Sequence, residues 1–448
     1  MSAHPSARAA PEPTARVGTA IPRDFALQYV GLLIFMIGDG VEVGYLSPYL
    51  VSLGFDTHFV ALLFTVYGLS AAAAAALSGV LCDTFGSRKV ILAGLVAWVV
   101  PHILFLTLAI PQKSPALLLA TYGIRGLGYP LMAYGLLTML MREIRTDRRG
   151  LGAGIFWFCF AAGLPTLGTV VAQVCLPRLG DYRTLWIGFA AVLLGGALAL
   201  LPVRRALGGA RRDGAVPAGE RPSIRQIGKV ARENPALVLT AITRAINSSA
   251  THGIIVFMPL YFTREAGMTQ SQWLSFLEII FLSNIVFNVV FGALGDATSW
   301  VKTIVWVGGV GGAIASVLMY WGPLLYGRAD PLFVYAIGAF FGMTLAGYVP
   351  LSAVAPSLLP GNTGIAMSFL NLGAGTSVWL GPAVVYLVEP HFGAQGVLYT
   401  YAAMFLASAF IAARLSPDQH GLRQAGQAAR ANSLAEKQEA AVSPGVSQ

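Results

Sequence analysis

The chain is a succession of long apolar runs separated by short polar breaks. Twelve of these runs are long enough to cross a bilayer as a helix, which takes about 20 residues. They cover residues 25–50, 57–82, 88–110, 115–141, 150–176, 184–203, 236–262, 270–295, 301–321, 331–359, 363–388 and 393–414. Hydrophobic residues make up 56% of the chain and charged residues 11%, roughly half the charged fraction of a soluble domain. The pattern predicts an all-α membrane protein with twelve transmembrane helices.

A polar, basic segment between the sixth and seventh runs divides the helices into six and six. Its end, over residues 223–232, is predicted to form a short amphipathic helix on the membrane surface. The sequence predicts five parts: a disordered N-terminus over 1–24, a six-helix bundle over 25–203, a basic linker over 204–235, a second six-helix bundle over 236–415 and a disordered C-terminus over 416–448.

The positive charges are distributed unevenly between the two sides of the membrane. Of the 29 Lys and Arg residues, 22 fall in the termini and the loops on their side, five in the opposite loops and two within spans. Loops rich in Lys and Arg stay in the cytoplasm. We therefore expect both termini and the linker to be cytoplasmic, in a multi-pass protein of the cell (inner) membrane. The same bias explains the net charge of +9. We therefore expect the lipid bilayer to be a partner of the protein and expect no nucleic acid to bind.

The two halves carry a related segment after their second helices. Gly79 to Gly94 reads "GVLCDTFGSRKVILAG", and Gly292 to Gly308 reads "GALGDATSWVKTIVWVG". Asp83 and Asp296 occupy the same place in this pattern, 213 residues apart. Weak internal repeats of this kind are typical of transporters whose substrate site lies between the repeats.

Five ionisable side chains fall well inside predicted spans. They are Asp39, Glu42, Arg125, Arg244 and Glu278. A rise of 1.5 Å per residue places Asp39 about 20 Å and Arg125 about 15 Å from opposite surfaces of the bilayer. These depths overlap in a hydrocarbon core about 30 Å thick, so we expect the two residues to pair if their helices are neighbours.

The pair suggests a way to couple a proton to a change of shape. An arginine keeps its proton, so the carboxylate of Asp39 must be the carrier. A static ion pair that only fixes helix packing is the alternative. Glu42 shares a helix face with Asp39. One of the two acids is expected to carry the proton and the other to bind the substrate, and the sequence does not assign the roles. In the second half, Glu278 is a candidate counter-ion for Arg244.

Twelve spans, a basic central loop and the segment from Gly79 to Lys89 resemble the major facilitator superfamily. The resemblance implies two pseudo-symmetric six-helix bundles, a monomer, and a proton-coupling role for the Asp39–Arg125 pair. It also implies a cytoplasmic gate at Asp83, Gly86, Arg88 and Lys89, with Asp296 in the second half.

Four further motifs resemble the proton-coupled polyol permeases, which transport ribitol and D-arabinitol. The motifs are "GDGVEVGYLSPYL" from Gly38, "YGIRGLGYP" from Tyr122, "RAIN" from Arg244 and "NLGAG" from Asn371. The resemblance implies proton-coupled symport of a small neutral polyol or sugar alcohol by alternating access. A polyol site needs hydrogen-bond donors, acceptors and apolar faces, and its candidate residues are Glu42, Tyr129, Tyr134, Trp157, Arg244, Asn247, Asn284, Asn288, Asn371 and Trp379.

Other functions remain open. Arg125 together with Arg244 suits an organic acid, and "AAGLPTLG" from Ala161 partly resembles a drug-exporter motif. A membrane sensor that does not transport is a further alternative. The sequence has no nucleotide-binding loop, metal cluster or nucleophile–base motif, so we expect no enzyme activity, no metal and no cofactor, with a proton gradient as the energy source.

Overall fold

A computed structural model describes residues 25–143, 149–201, 224–359 and 363–416, and all regular structure in these ranges is helical. The first half contains α1 (Ala26–Gly40), α2 (Leu46–Ser52), α3 (Thr57–Phe85), α4 (Ser87–Leu104), α5 (Ile110–Gln112), α6 (Pro115–Arg125), α7 (Gly128–Glu143), α8 (Arg149–Ala161), α9 (Gly168–Leu179) and α10 (Asp181–Leu200). The second contains α11 (Ile224–Glu233), α12 (Pro235–Leu260), α13 (Gln270–Ala297), α14 (Trp300–Lys302), α15 (Gly311–Tyr326), α16 (Pro331–Ala346), α17 (Leu351–Leu358) and α18 (Thr363–Ala412).

Four π-helical segments continue these helices: Phe105–Ala109, Ala162–Leu167, Tyr261–Glu265 and Thr303–Val310. The expected disorder of residues 1–24 and 417–448, and most of the basic linker, lie outside the described residues. The predicted amphipathic helix at the end of the linker is present as α11.

Eight helices in the described ranges are long and apolar enough to cross a membrane. The first, fourth and tenth predicted runs are not continuous helices, because α1 and α2, α6 and α7, and α16 and α17 are separated by short turns. The turns fall where glycine and proline cluster, at residues 41–45, 126–127 and 347–350. Glycine weakens a helix interior and proline removes a helical hydrogen bond. The eleventh and twelfth runs form the single element α18, kinked at Gly393 with a φ of 61°.

Caps and glycines set the helix ends. Thr269 and Gln272 form a capping box at the start of α13, and the Asp330 side chain accepts a hydrogen bond of 3.1 Å from the Phe333 amide at the start of α16. Such caps satisfy amides that a helix start leaves without partners. Gly86 joins α3 to α4 in one residue with a φ of 88°, a conformation that suits glycine.

Helix α1 packs closely along α10. A Cβ placed at Gly38 would lie 2.7 Å from the Val192 amide nitrogen, and one at Gly188 would lie 2.8 Å from the Gly38 carbonyl oxygen. Small residues at such crossings let membrane helices approach closely. This packing holds the backbone beside Asp39 against α10.

Hydrogen bonds join the two halves near one end of the helices, at the level of α2. The Gly44 carbonyl accepts hydrogen bonds from the indole of Trp273 at 2.7 Å and from the Gln270 amide at 3.2 Å. Further bonds join Gln173 to Ser275 at 2.9 Å and to Ser271 at 3.4 Å, His58 to the Tyr386 carbonyl at 3.1 Å, and Ser47 to the Val256 carbonyl. These contacts close this end in the present conformation.

The buried bond from Trp273 to Gly44 predicts a variant that opens this end more often. Trp273→Phe keeps an aromatic ring but loses the donor, which is worth about 1 kcal/mol or a roughly fivefold shift in population. Cys175 is half-buried on α9, two residues beyond Gln173, and is a native reporter once Cys82 and Cys159 are replaced by Ala. We expect a polar thiol reagent to modify Cys175 about fivefold faster in nanodiscs.

Trp321→Phe is the matched control, because that indole bonds to Tyr399 within the second half. An unchanged rate of Cys175 modification in Trp273→Phe would show that the bond does not hold this end closed.

Candidate functional site

A cluster of three charges lies where the first and fourth runs break. Asp39 is the second-to-last residue of α1, Glu42 lies in the turn that follows, and Arg125 is the last residue of α6. Their exposed fractions are 3%, 6% and 0%. A cation at a helix C-terminus is favourable and an anion is not. Asp39 and Glu42 lie at the C-terminal end of α1, and the positive charge of Arg125 compensates for this unfavourable placement.

The guanidinium of Arg125 holds Glu42 by two parallel bonds. Its Nη1 donates to Glu42 Oε2 at 2.8 Å, and its Nη2 donates to Glu42 Oε1 at 2.6 Å. The hydroxyl of Tyr122 donates a third bond to Oε1, at 3.0 Å. Two-pronged pairing of this kind is the strongest that arginine makes with a carboxylate.

Asp39 is the second acid on the same cation. Its Oδ1 accepts one bond from Arg125 Nη2 at 3.2 Å and another from the Trp98 indole at 2.6 Å. The expected contact between Asp39 and Arg125 is present, but Glu42 is the closer partner. One guanidinium therefore serves two carboxylates, and the three side chains carry a net charge of −1 when both acids are ionised.

Aromatic rings enclose the cation. The centre of the guanidinium lies 4.4 Å from the Trp98 ring, 5.0 Å from the Tyr122 ring and 5.9 Å from the Tyr67 ring. A cation over an aromatic face is attracted to it, more strongly when water is excluded. The free space beside Glu42 and Trp98 is too narrow for a water molecule. This side of the cluster leaves no room for water in the present conformation.

Four members of this site were missed by the sequence reasoning: Tyr67, Trp98, His102 and Tyr122. Trp98 and His102 lie four residues apart on α4, with ring centres 4.4 Å apart, and His102 Nδ1 lies 3.0 Å from Arg125 Nη1. The signal in the sequence was a histidine and a tryptophan on one face of an apolar span. Residues at that spacing share a helix face.

The predicted aromatic residues of the first half form a separate group on α7 and α8. Tyr129, Tyr134 and Trp157 surround Phe160, with ring centres 6.3, 6.5 and 5.6 Å from it. Trp157 is 45% exposed. Tyr129 lies nearest the charge cluster, since its ring is 6.4 Å from that of Tyr67.

Three of the four predicted asparagines bond within the second half. Asn247 and Asn284 donate to the carbonyls of Leu345 and Gly342, at 3.4 and 3.3 Å, next to the turn that ends α16. Asn288 donates to Asn284 at 3.3 Å. Asn371 is exposed, and Trp379 is half-buried on α18, where its backbone faces Gly68 of α3.

Arg244 and Glu278 do not pair. Among the described residues, Arg244 bonds to the neutral amide of Asn247 at 3.5 Å and forms no ion pair with Glu278, whose Oε1 is buried without a partner there. The expectation of a counter-ion is therefore wrong. Equal depth along the membrane does not place two side chains on facing sides of their helices.

The predicted gate residues lie at the turn between α3 and α4 and at the end of α13. Gly86, Arg88 and Lys89 are exposed and border a shallow cavity of about 390 Å³ with Glu143. Asp296 accepts a bond of 2.8 Å from the Trp300 indole. The side chain of Asp83 lies outside the described residues.

Comparison with known proteins identifies the class. Residues 29–354 match the Major Facilitator Superfamily, and the chain belongs to that family. Its fold is also that of a solved structure of the nucleoside transporter NupG, with a TM-score of 0.68 at 14% identity over 88% of this chain and 99% of that one.

Among its relatives are transporters of different solutes. The chain is 38% identical to the alpha-ketoglutarate permease of Bacillus subtilis (strain 168), over 87% of this chain and 89% of that protein. It is 32% identical to the D-arabinitol transporter and to the ribitol transporter of Klebsiella pneumoniae, over 92% and 90% of this chain and 96% and 94% of those proteins. The resemblance to polyol permeases is thus confirmed, and the chain is a multi-pass membrane transporter rather than an enzyme.

The shared cation predicts an unequal cost of mutation. Arg125→Gln leaves two buried carboxylates without their cation, which should lower stability by about 3–5 kcal/mol. The triple variant Asp39→Asn, Glu42→Gln, Arg125→Gln removes all three charges and should recover more than half of that loss. Thermal unfolding in detergent measures both. A triple variant less stable than the single one would contradict the description of the three charges as buried and paired.

Proposed function

We propose that the protein is a symporter that imports a small neutral polyol together with one proton by alternating access. Its twelve helices form two six-helix bundles with the termini and linker in the cytoplasm. The uneven distribution of Lys and Arg supports this orientation. The observation that carries the proposal is the single guanidinium of Arg125 shared by two buried carboxylates.

The charge of the cluster supports a coupling of one proton per cycle. Two carboxylates and one guanidinium leave a net negative charge among buried side chains, where an uncompensated charge is costly. One proton makes the cluster neutral. Asp39 is the better acceptor, because Glu42 already receives three bonds, whereas Asp39 Oδ2 receives none from the described residues. Glu42 then remains the counter-ion of Arg125.

The proton changes what holds the helices together. A protonated Asp39 is attracted to Arg125 less strongly, so α1 can separate from α6. The turn at residues 41–45 links this movement to Gly44, whose carbonyl holds the closed end through Trp273. In the proposed orientation that end lies on the outer side, so a proton taken up from outside keeps it open, and release of the proton to the cytoplasm lets it close. The proton gradient then drives accumulation of the substrate.

The polyol itself would lie between the two halves. Tyr129 and Tyr134 offer hydroxyls and flat faces from the first half. Asn247 and the half-buried Arg244 offer polar groups from the second. A neutral polyol carries many hydroxyls, each of which must replace its hydrogen bonds to water.

Proteoliposomes with an imposed pH gradient test the coupling. We expect the wild type to accumulate ribitol or D-arabinitol. Asp39→Asn should lose gradient-driven accumulation but keep exchange of labelled for unlabelled substrate, because exchange needs no net proton movement. Asp330→Asn is the control, since an asparagine caps a helix as well as an aspartate does. Full accumulation by Asp39→Asn would refute the coupling role.

An organic acid is the second candidate substrate. Arg244 is a half-buried cation within a span, and its partner among the described residues is a neutral amide, so a substrate carboxylate would supply the missing negative charge. The similarity to an alpha-ketoglutarate permease favours the same class. The two candidates differ in net charge. A polyol with one proton carries positive charge inward, whereas a divalent acid with one proton carries negative charge.

Substitution of Arg244 separates the candidates. Loss of a charged hydrogen bond costs about 1.5–3 kcal/mol, so Arg244→Gln should raise the KM for a carboxylate at least about tenfold. For a polyol we expect a rise of about fivefold, because the Gln amide still donates a neutral bond to a hydroxyl where Arg244 donated a charge-assisted one, a difference of about 1 kcal/mol. Arg264→Gln, at an exposed position, controls for the lost charge. Substrate-induced currents in proteoliposomes give both the KM and the sign of the transported charge.

A further inference from the structure

His102 is a buried histidine in contact with a cation. Its exposed fraction is 1%, and its Nδ1 lies 3.0 Å from Nη1 of Arg125. Arginine only donates hydrogen bonds, so Nδ1 must accept, and the ring is neutral. The other faces of the ring lie against Trp98, Phe105 and Phe189. Packing therefore fixes the direction of the Nδ1 lone pair.

This contact completes the pairing of the two terminal nitrogens of the guanidinium, whereas Nε is buried without a partner among the described residues. Nη1 donates to Glu42 and His102, and Nη2 donates to Glu42 and Asp39. The four terminal N–H groups of Arg125 are thus all used. Because the guanidinium is a flat and rigid fork, the acceptors of its two outer N–H groups lie on opposite flanks. His102 holds one flank and Asp39 the other.

We propose that His102 is a positioning residue for Arg125 and does not itself carry the proton. This inference rests on the proposed function, in which Arg125 releases Asp39 when that acid takes up a proton. As a neutral acceptor, His102 keeps Nη1 paired whether or not Asp39 is charged. Arg125 therefore stays on Glu42 when Asp39 takes up its proton, and only the bond to Asp39 weakens.

The groups around His102 favour a neutral ring throughout the cycle. Among the described residues, Arg125 is the charged group bonded to His102. The other titratable groups of the cluster lie around the guanidinium: Asp39, Glu42, Tyr122 and Tyr67. A proton on Nδ1 would leave two donors facing each other and a second positive charge 3.0 Å from the guanidinium. No water fits the narrow space beside the ring, which is lined by Gly38, Leu185 and Gly188.

Two substitutions separate positioning from proton transfer. His102→Asn places an amide oxygen near the position of Nδ1 but does not titrate. His102→Leu fills the space without an acceptor. We expect His102→Asn to keep accumulation within about twofold of the wild type, with an unchanged pH profile of exchange. His102→Leu should lose accumulation at least about tenfold, the effect of removing a bond to a charged group. The exposed His391→Asn is the control.

A readout without transport tests the same contact. In thermal unfolding, the effects of His102→Leu and Arg125→Gln should be less than additive, with the double variant at least about 3 °C more stable than the sum predicts. Full additivity would overturn the positioning role. A shifted pH profile or lost accumulation in His102→Asn would instead make the histidine a proton carrier. If the wild type accumulates no substrate but non-additivity is found, the proposed function fails and the positioning role stands.

Discussion

The structure depends on one buried guanidinium that two buried carboxylates share. Each of these charges alone would be costly at this depth, and together they still leave one negative charge in excess. The surroundings reduce that cost in several ways: Trp98 donates to Asp39, Tyr122 donates to Glu42, and aromatic faces cover Arg125. A purely structural ion pair needs one acid. In the proposed mechanism, the second acid is what makes the cluster respond to a proton.

The interrupted helices place this cluster and also connect it to the rest of the molecule. Because α1 ends at Gly40, Glu42 can turn toward Arg125 while the Gly44 carbonyl, two residues on, is free to accept bonds from the second half. A continuous helix would have used that carbonyl internally. Breaks also occur in the tenth run, and paired interruptions in the two halves are typical of transporter binding sites.

The length and depth of the apolar runs were enough to predict the helical class and the level at which Asp39 and Arg125 meet, and the motifs carried by the runs predicted the family. They were not enough to identify the partners, because a regular rise of 1.5 Å per residue does not describe the turn that reorients Glu42. Trp98 and His102 lie in an apolar span where such residues usually serve packing. The failed pairing of Arg244 with Glu278 has the same origin, since depth does not specify which side of a helix faces a partner.

In the proposed mechanism, coupling and substrate selection depend on different halves of the molecule. The first half holds the acids, the shared cation and the neutral acceptor His102. The second half offers Arg244 with a neutral amide partner, and asparagines bonded to carbonyls near the turn after α16. A change at Arg244 alters the charge that the substrate must carry without altering the charge count around Arg125. On this mechanism, a change of solute from a polyol to an acid requires a change around Arg244 and none in the cluster around Arg125.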